Sequence, residues 1–481
     1  MATQSTQSIR IVGSFSAGTF QTQGEPTLDS ANPANPSDVV ATGIRATEDQ
    51  ASAAIESAHD AQLKWALLPG SARGDFLYRW ADQIQAKASE MALIVAREVG
   101  KPIGEANGEV GRCIAILRYY AGEAVRDTGE VVPSLTPGAL QYSLRTPLGV
   151  VGLITPWNFP VAIPLWKAAP ALACGNTVVL KPAETSILCA TLLAETAQAA
   201  GLPEGVFSVL IGDGVLLGEA MMSHKLLRGM SFTGSARVGS IVAQKCAARN
   251  IKFQTEMGGK NAGIVLPDAD LKQAATLVAS GAMRFAGQKC TATSRVIVHR
   301  KVRDAFQKEL VVAIESLKVS DPLEADCAVG PVITEISKNR IEEALSNAGK
   351  PFYEGAIPST GYFVAPALYV DVYPGSPLAQ DELFGPVLAM IDAEDFDHAI
   401  EIANDVDYGL SASLFTKDIA SALKYVSKIE AGMVRVNADT TGVDPHAPFG
   451  GVKASSSGSR EQGPAAKDFY TEIKTVQINA G

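Results

Sequence analysis

Histidine is scarce in this chain, and cysteine is scattered. Five histidines in 481 residues form no H-E-x-x-H pattern. The six cysteines, Cys113, Cys174, Cys189, Cys246, Cys290 and Cys327, include no C-x-x-C pair. These absences argue against a zinc site and against a disulfide scaffold, and they predict free thiols in a reducing cytoplasm, with no metal. No G-x-x-x-x-G-K-[ST] run is present, which removes a Walker-type phosphate loop. No stretch approaches the ~18 apolar residues of a spanning helix, and "MATQSTQSIRIVGSFSAG" lacks the apolar core of a signal peptide. Positive charge is in deficit: 41 Lys and Arg against 51 Asp and Glu give a formal net charge of -10. Nucleic acid and anionic membrane are therefore poor partners.

What remains is a globular composition, 47% hydrophobic and 19% charged, in a chain too long for one core. Residues 1–45 read as irregular and strand-rich. Helical periodicity follows in "TEDQASAAIESAHDAQLKWALL", with Thr47 as N-cap, then in "SARGDFLYRWADQIQAKASEMALIVAREVG", closed by Gly100, and in "GEVGRCIAILRYYAGEAV". The period then changes. The short apolar runs "GVVGLI", "TVVLK", "VFSVL" and "LLRGMSF" alternate with helix-like segments, the pattern of βαβ units and a parallel sheet. A second alternating section starts near residue 262. The stretch 129–147 reads as a hairpin, and "TEIKTVQI" as a strand able to pair with it.

One cysteine stands apart. In "FAGQKCTATSR", Cys290 has small and polar neighbours rather than apolar ones. With metal and disulfide disfavoured, a nucleophile and a plain loop residue remain. Four other stretches place polar groups just past predicted strands, where open parallel sheets bind ligands. Asn158 lies in "ITPWNFP", Lys181 and Glu184 in "LKPAET", Ser235 in "SFTGSARVG", and Glu256 in "TEMGGKN". Each alone is equally read as a turn or solvated loop residue. A lysine and a carboxylate there suit ribose hydroxyls or a phosphate, and a helix start suits a pyrophosphate.

Taken in order, "PWNFP", "KPAE", "FTGS", "EMGGKN", "GQKCTATSR", "DELFGPV" and "PFGGVKAS" resemble the signature set of the NAD(P)-dependent aldehyde dehydrogenases, over essentially the whole chain. The resemblance implies an α/β fold with a Rossmann-type cofactor domain (1–128 and 148–256), an α/β catalytic domain (257–435) and a β-hairpin oligomerisation arm (129–147 and 465–481). It implies a homodimer or homotetramer. Cys290 becomes the nucleophile, Glu256 the general base for thioester hydrolysis, Asn158 an oxyanion donor, and Lys167 a residue that tunes the site. Lys289, next to Cys290, is a candidate cation for activating the thiol. Cofactor contacts fall to Ile154, Thr155, Pro156, Trp157, Lys181, Glu184, Gly214, Thr233, Gly234, Ser235, Glu382 and Phe384. The carboxylate of Glu184 disfavours a 2′-phosphate, so NAD is expected ahead of NADP, with Lys181 leaving NADP possible.

The resemblance lines the substrate pocket with Phe159, Trp166, Lys289, Thr291 and Phe449. Trp166 stands where relatives acting on succinic semialdehyde tend to carry an arginine. The stretches around 254–271 and 445–476 look closest to the α-ketoglutaric semialdehyde (2,5-dioxopentanoate) dehydrogenases within the family. That substrate needs donors for its carboxylate, and Arg118, Arg284, Lys289 and Arg460 are the candidates. The alternatives are a broad or succinic semialdehyde dehydrogenase and, in another class, a non-catalytic structural relative. A CoA-acylating relative is disfavoured by Glu256.

Overall fold

The computed structural model describes residues 9–126 and 128–479. Its first large sheet has eight strands. Moving outward from Val150–Ile154, Thr177–Lys181 and Phe207–Val209 lie on one side, and Leu227–Thr233 and Lys252–Glu256 on the other. These five strands are parallel. Their near-continuous apolar character follows from helices on both faces. Strand order reverses at Val150–Ile154, which makes the crevice beyond its carboxyl end a topological switch point. Register brings Ile154 opposite Lys181 and Phe232, and Thr233 opposite Glu256. Four of the expected site residues thus lie along one edge of the sheet.

One face packs the helices Gly70–Ala86, Ala88–Val99, Ile103–Glu123, Ala162–Ala173 and Ile187–Ala199 around Trp80, Leu117, Leu165 and Leu192. The other packs Glu48–Trp65, Gly214–Ser223 and Ala236–Ala248 against Val150, Val179 and Met230. Thr47 caps Glu48–Trp65 as expected. Its side chain accepts from Gln50 N, and the Gln50 side chain answers on the cap backbone. The periodic stretch from Gly70 to Gly100 is two helices, not one. Lys87 at φ -106, ψ 14 ends the first and starts the second, a bend that continuous apolar spacing does not reveal. Gly100 closes the second in the left-handed conformation, φ 70.

A second sheet of seven strands is built around Asn261–Val265, Thr293–His299, Val387–Ala393 and Ser411–Phe415, all parallel. It too is covered on both faces.

The carboxyl-terminal part then crosses back. Ser456–Ser457 adds an antiparallel edge to Lys252–Glu256, pairing Ser456 with Glu256. Helix Ala466–Tyr470 buries Ala466, Phe469 and Tyr470 in the first core. Thr471–Ile478 runs antiparallel along Leu140–Pro147, with Val131–Val132 on its far side, forming a separate three-stranded sheet.

Candidate active site

Cys290 sits between the short helical turn Arg284–Gly287 and the strand Thr293–His299. Phe285, Ala286 and Gly287 are all left-handed, at φ 55, 52 and 65. A Cβ on Gly287 would lie 2.2 Å from the Gly385 carbonyl oxygen, so only glycine fits there. Non-glycine residues in this region are strained and need the surroundings to hold them. Here Gln288 does the holding. It is buried, donates through Nε2 to the carbonyls of Phe285 (3.3 Å) and Pro331 (3.1 Å), and accepts from Ile333 N at 2.9 Å. Asn261 fixes the other side, donating to the carbonyls of Cys290 and Ala292 at 2.8 Å each. The thiol is half-buried, and all six cysteines are free. Burial, then the carboxylates of Glu382 and Glu256, push its pKa up to about 12, against the N–H groups of Thr291 and Cys290.

Lys289 does not supply the neighbouring cation expected of it. Its ammonium is paired with Glu105 at 2.7 Å, and it is not among the causes acting on the Cys290 thiol.

Glu256 closes its strand and is 1% exposed. Ser456 Oγ donates to its Oε2 at 2.6 Å, while Oε1 is buried without a partner. Burial first, and then Glu461, hold its carboxyl well above the usual range, against Ser456, Lys167 and Arg460. Asn158 is buried at the end of Val150–Ile154. Its Nδ2 donates to the Gln288 carbonyl at 3.0 Å, which leaves its second N–H unspent.

Lys167 reaches neither the thiol nor the Asn158 amide by hydrogen bond. It donates to Ser231 Oγ at 2.8 Å and contacts Glu461 directly. Glu461 also accepts from Trp166 Nε1 (2.7 Å) and Gln254 Nε2 (2.8 Å). Its backbone bridges to Phe449 in both directions. Glu461, Ser456, Gln254, Asn261 and Gln288 all shape the site, yet the sequence reading assigned none of them a role. The run "SREQG" was the available signal for Glu461.

Ile154, Lys181 and Thr233 close strands of the first sheet, and Thr155, Pro156, Trp157, Glu184, Gly234 and Ser235 follow those ends within a few residues. Thr155 and Thr233 are buried with Oγ1 unpartnered. Lys181 is 5% exposed, and its ammonium makes no hydrogen bond or ion pair among the described residues. Glu184 accepts from Arg45 (3.0 Å) and from Gly214 N (3.3 Å). Gly234 N donates to the Glu256 carbonyl at 3.0 Å, and exposed Ser235 caps Ala236–Ala248. Ile154 packs on the second core, and Pro156 is half-buried. Trp157 stands edge-on to Phe384 at 5.8 Å, and Phe384 is left-handed, φ 54. Glu382 accepts from Gly259 N at 3.0 Å and presses on Gly258. Unspent hydroxyls, a buried ammonium and a carboxylate at a strand-order reversal fit a dinucleotide.

Of the expected substrate residues, Trp166 and Phe449 stack at 5.4 Å. Phe449 shares an apolar cluster with Leu410, Met433, Val443 and Cys290. Phe159 carries the buried Lys101 ammonium 3.7 Å over its ring. The Thr291 carbonyl accepts from Thr440 at 2.6 Å. Among the candidate carboxylate donors, Arg118 lies outside, bound to Asp82 and Gln85. Lys289 is paired, Arg460 donates to the Gly451 carbonyl, and Arg284 is half-buried without a partner among the described residues.

A half-buried thiol, a carboxyl that acts on it and an unspent amide bonded to the loop before it can add to a carbonyl and then hydrolyse the adduct. Comparison with known proteins gives this geometry its class. The sequence model of the Aldehyde dehydrogenase family matches residues 20–476, and the chain belongs to that family. It is an NAD(P)-dependent aldehyde dehydrogenase. It is 47% identical over 460 residues to the alpha-ketoglutaric semialdehyde dehydrogenase of Bacillus subtilis, covering 93% of each chain. It is 43% identical to the alpha-ketoglutarate semialdehyde dehydrogenase of Haloferax volcanii, covering 94% of this chain and 95% of that one. The betaine aldehyde dehydrogenase of Staphylococcus aureus, solved with NAD+, superposes with a TM-score of 0.93 at 30% identity, over 97% of this chain and 94% of the other.

Proposed function

We propose that the protein oxidises α-ketoglutaric semialdehyde (2,5-dioxopentanoate) to 2-oxoglutarate, using NAD ahead of NADP, through covalent catalysis at Cys290. The observation that carries the substrate is the identity to relatives named for that aldehyde along nearly their full length. The chemistry rests on Cys290, on Glu256, whose carboxylate acts on that thiol, and on Asn158, which binds the Gln288 carbonyl just before it.

The Cys290 thiol is protonated in this arrangement, so its proton must leave first. Glu256, with a free Oε1 and a raised carboxyl pKa, accepts it. The thiolate adds to the aldehyde carbon; a C–S bond forms and the carbonyl electrons move to oxygen. The second Asn158 N–H and the Cys290 backbone N–H, which makes no backbone hydrogen bond among the described residues, stabilise that oxyanion. A bound nicotinamide would supply the hydride acceptor that takes the tetrahedral adduct to a thioester. Once Glu256 has passed the thiol proton to solvent it takes a proton from water, the hydroxide adds to the thioester carbon, and the C–S bond breaks to release the acid and return Cys290 as thiolate. Lys167 and Glu461 hold the base's surroundings, and Trp166 and Phe449 wall the substrate side. Lys181, Glu184, Thr155 and Thr233 would hold the dinucleotide's ribose and phosphates, with Glu382 and Phe384 at the nicotinamide end.

Residues 1–128 with 148–256 act as the cofactor unit and 257–435 as the catalytic unit. The arm, 129–147 with 471–479 once helix Ala466–Tyr470 is assigned to the first core, joins copies into a dimer or tetramer in the cytoplasm. Exposed Val131, Leu135, Leu140, Ile473 and Ile478 on the arm sheet support this, and a monomer at micromolar concentration would refute it. No helix among the described residues is long and apolar enough to cross a membrane.

A second reading, a broad aldehyde dehydrogenase, is favoured by the aromatic wall of Trp166 and Phe449. The test is reduced-cofactor formation on 2,5-dioxopentanoate, succinic semialdehyde and pentanal. A preference of about tenfold or more in kcat/KM for the first over pentanal supports the proposal; the reverse order supports the broad enzyme.

A further inference from the structure

A cavity of about 580 Å³ opens beside the cleft, lined in part by Arg112, Met433, Arg435, Val443, Asp444 and Pro448. Met433 and Val443 belong to the apolar cluster that contains Cys290 and Phe449, so the cavity adjoins the nucleophile's surroundings. Two arginines face it without carboxylate partners. Among the described residues, Arg112 makes one side-chain hydrogen bond, Nη2 to Gln462 Oε1 at 3.2 Å, and no ion pair. Arg435 makes neither. The Nε of each is buried and unpartnered. Asp444 is the one carboxylate among the lining residues. It is exposed and attracts Arg112 only at range.

Gln462 is the second unusual element. It is 1% exposed and left-handed at φ 58, and its Nε2 is buried with no acceptor. Strain of this kind persists where the surroundings over-determine it, commonly at ligand sites. Its neighbour Glu461 holds Trp166 by side chain and Phe449 by backbone. Arg112 at the cavity wall and Gln462 behind it therefore hold unspent donors, the Gln462 amide oxygen being taken up by Arg112. A planar, acceptor-only group with two oxygens suits such a set best, because a guanidinium meets a carboxylate through paired N–H bonds.

We infer that Arg112, oriented by Gln462, is the residue that binds the substrate's carboxylate and so selects a semialdehyde acid over a neutral aldehyde. This rests on the substrate reading above and adds Arg112 to the candidates read from sequence, of which Arg118 and Lys289 are paired with carboxylates and Arg460 donates to the Gly451 carbonyl. Arg284, also without a partner, does not line this cavity.

The test compares wild type, Arg112→Met, Arg112→Lys and Arg284→Met. Each is assayed on 2,5-dioxopentanoate and pentanal, with glutarate as a competitive inhibitor of pentanal oxidation. Arg112→Met is expected to lose about 100-fold in kcat/KM on 2,5-dioxopentanoate, mainly through KM, and to stay within about threefold on pentanal. Its glutarate inhibition constant rises about tenfold or more, and Arg112→Lys recovers part of both losses. An equal fall on both aldehydes, or full retention by Arg112→Met with the loss carried by Arg284→Met, overturns the assignment. If wild type prefers pentanal, the substrate reading fails by itself. Glutarate inhibition then still decides whether Arg112 binds a carboxylate.

Discussion

The ammonium of Lys167 and the carboxylate of Glu461 meet beneath the active site, the first wholly buried and the second 2% exposed. They touch inside a ring of donors formed by Ser231, Gln254 and Trp166. Such a pair stands on its mutual satisfaction: either charge alone in that place is severely unfavourable.

Lys167→Met therefore leaves the buried Glu461 side chain without its cation, and is expected to cost about 3–5 kcal/mol of stability. The double variant Lys167→Met/Glu461→Gln should recover a large part of that. Urea denaturation midpoints across the cycle measure it, and additive losses would refute the coupling.

The thiol of Cys290, pushed up to about 12 by burial and by Glu382 and Glu256, should react slowly in the absence of cofactor. Its iodoacetamide alkylation rate is expected to climb steadily from pH 7 to about pH 10 with no plateau, since the thiolate is the reacting form. A plateau near neutrality would show a thiolate already present.

Glu256→Gln should abolish both the initial burst of reduced cofactor and steady-state turnover, because the same carboxylate takes the thiol proton and later the water proton. The same substitution bears on stability. The folded carboxyl pKa is raised, so the wild-type site favours the protonated form. Its contribution is complete below the unfolded pKa of about 4.3 and is lost as pH rises. The variant should melt above wild type at pH 8 and lose that advantage below about pH 4.

Asn158→Ala removes one of two oxyanion donors and should lower kcat by about two to three orders of magnitude. Cofactor affinity, followed by fluorescence, should not change.

Glu184→Ser removes the carboxylate that Arg45 grips and frees that guanidinium beside Lys181. NADP should then bind at least about tenfold tighter, by titration. No gain would mean that Glu184 does not set cofactor choice.

Where the chemistry hangs on local signals, the sequence was readable. Thr47 and Gln50 announce a helix start. Lys181 ends a short apolar run, Asn158 and Glu256 follow strand-like stretches, and parallel register brings those strand ends side by side. Arg112 and Glu461 carried no such mark. Arg112 lies inside a long helix whose period reports only packing, and Glu461 gains its meaning from Trp166 and Lys167, nearly three hundred residues earlier. The left-handed turn before Cys290 was equally hidden: Phe285 and Ala286 have no intrinsic preference for it, and only Gln288 and the loops it grips hold them there. The break at Lys87 is decided by packing rather than by any helix-stopping residue.

The antiparallel edge made by Ser456–Ser457 also gives the site an order in time. Asn158, Lys167, Glu256 and Cys290 all leave the ribosome before Ser456 and Glu461. Until those later residues arrive, the base lacks its hydroxyl partner and Lys167 has no counter-charge. A nascent or prematurely released chain carries the nucleophile but not the surroundings that direct it, so aldehyde oxidation begins only once the last crossing of the chain has been made.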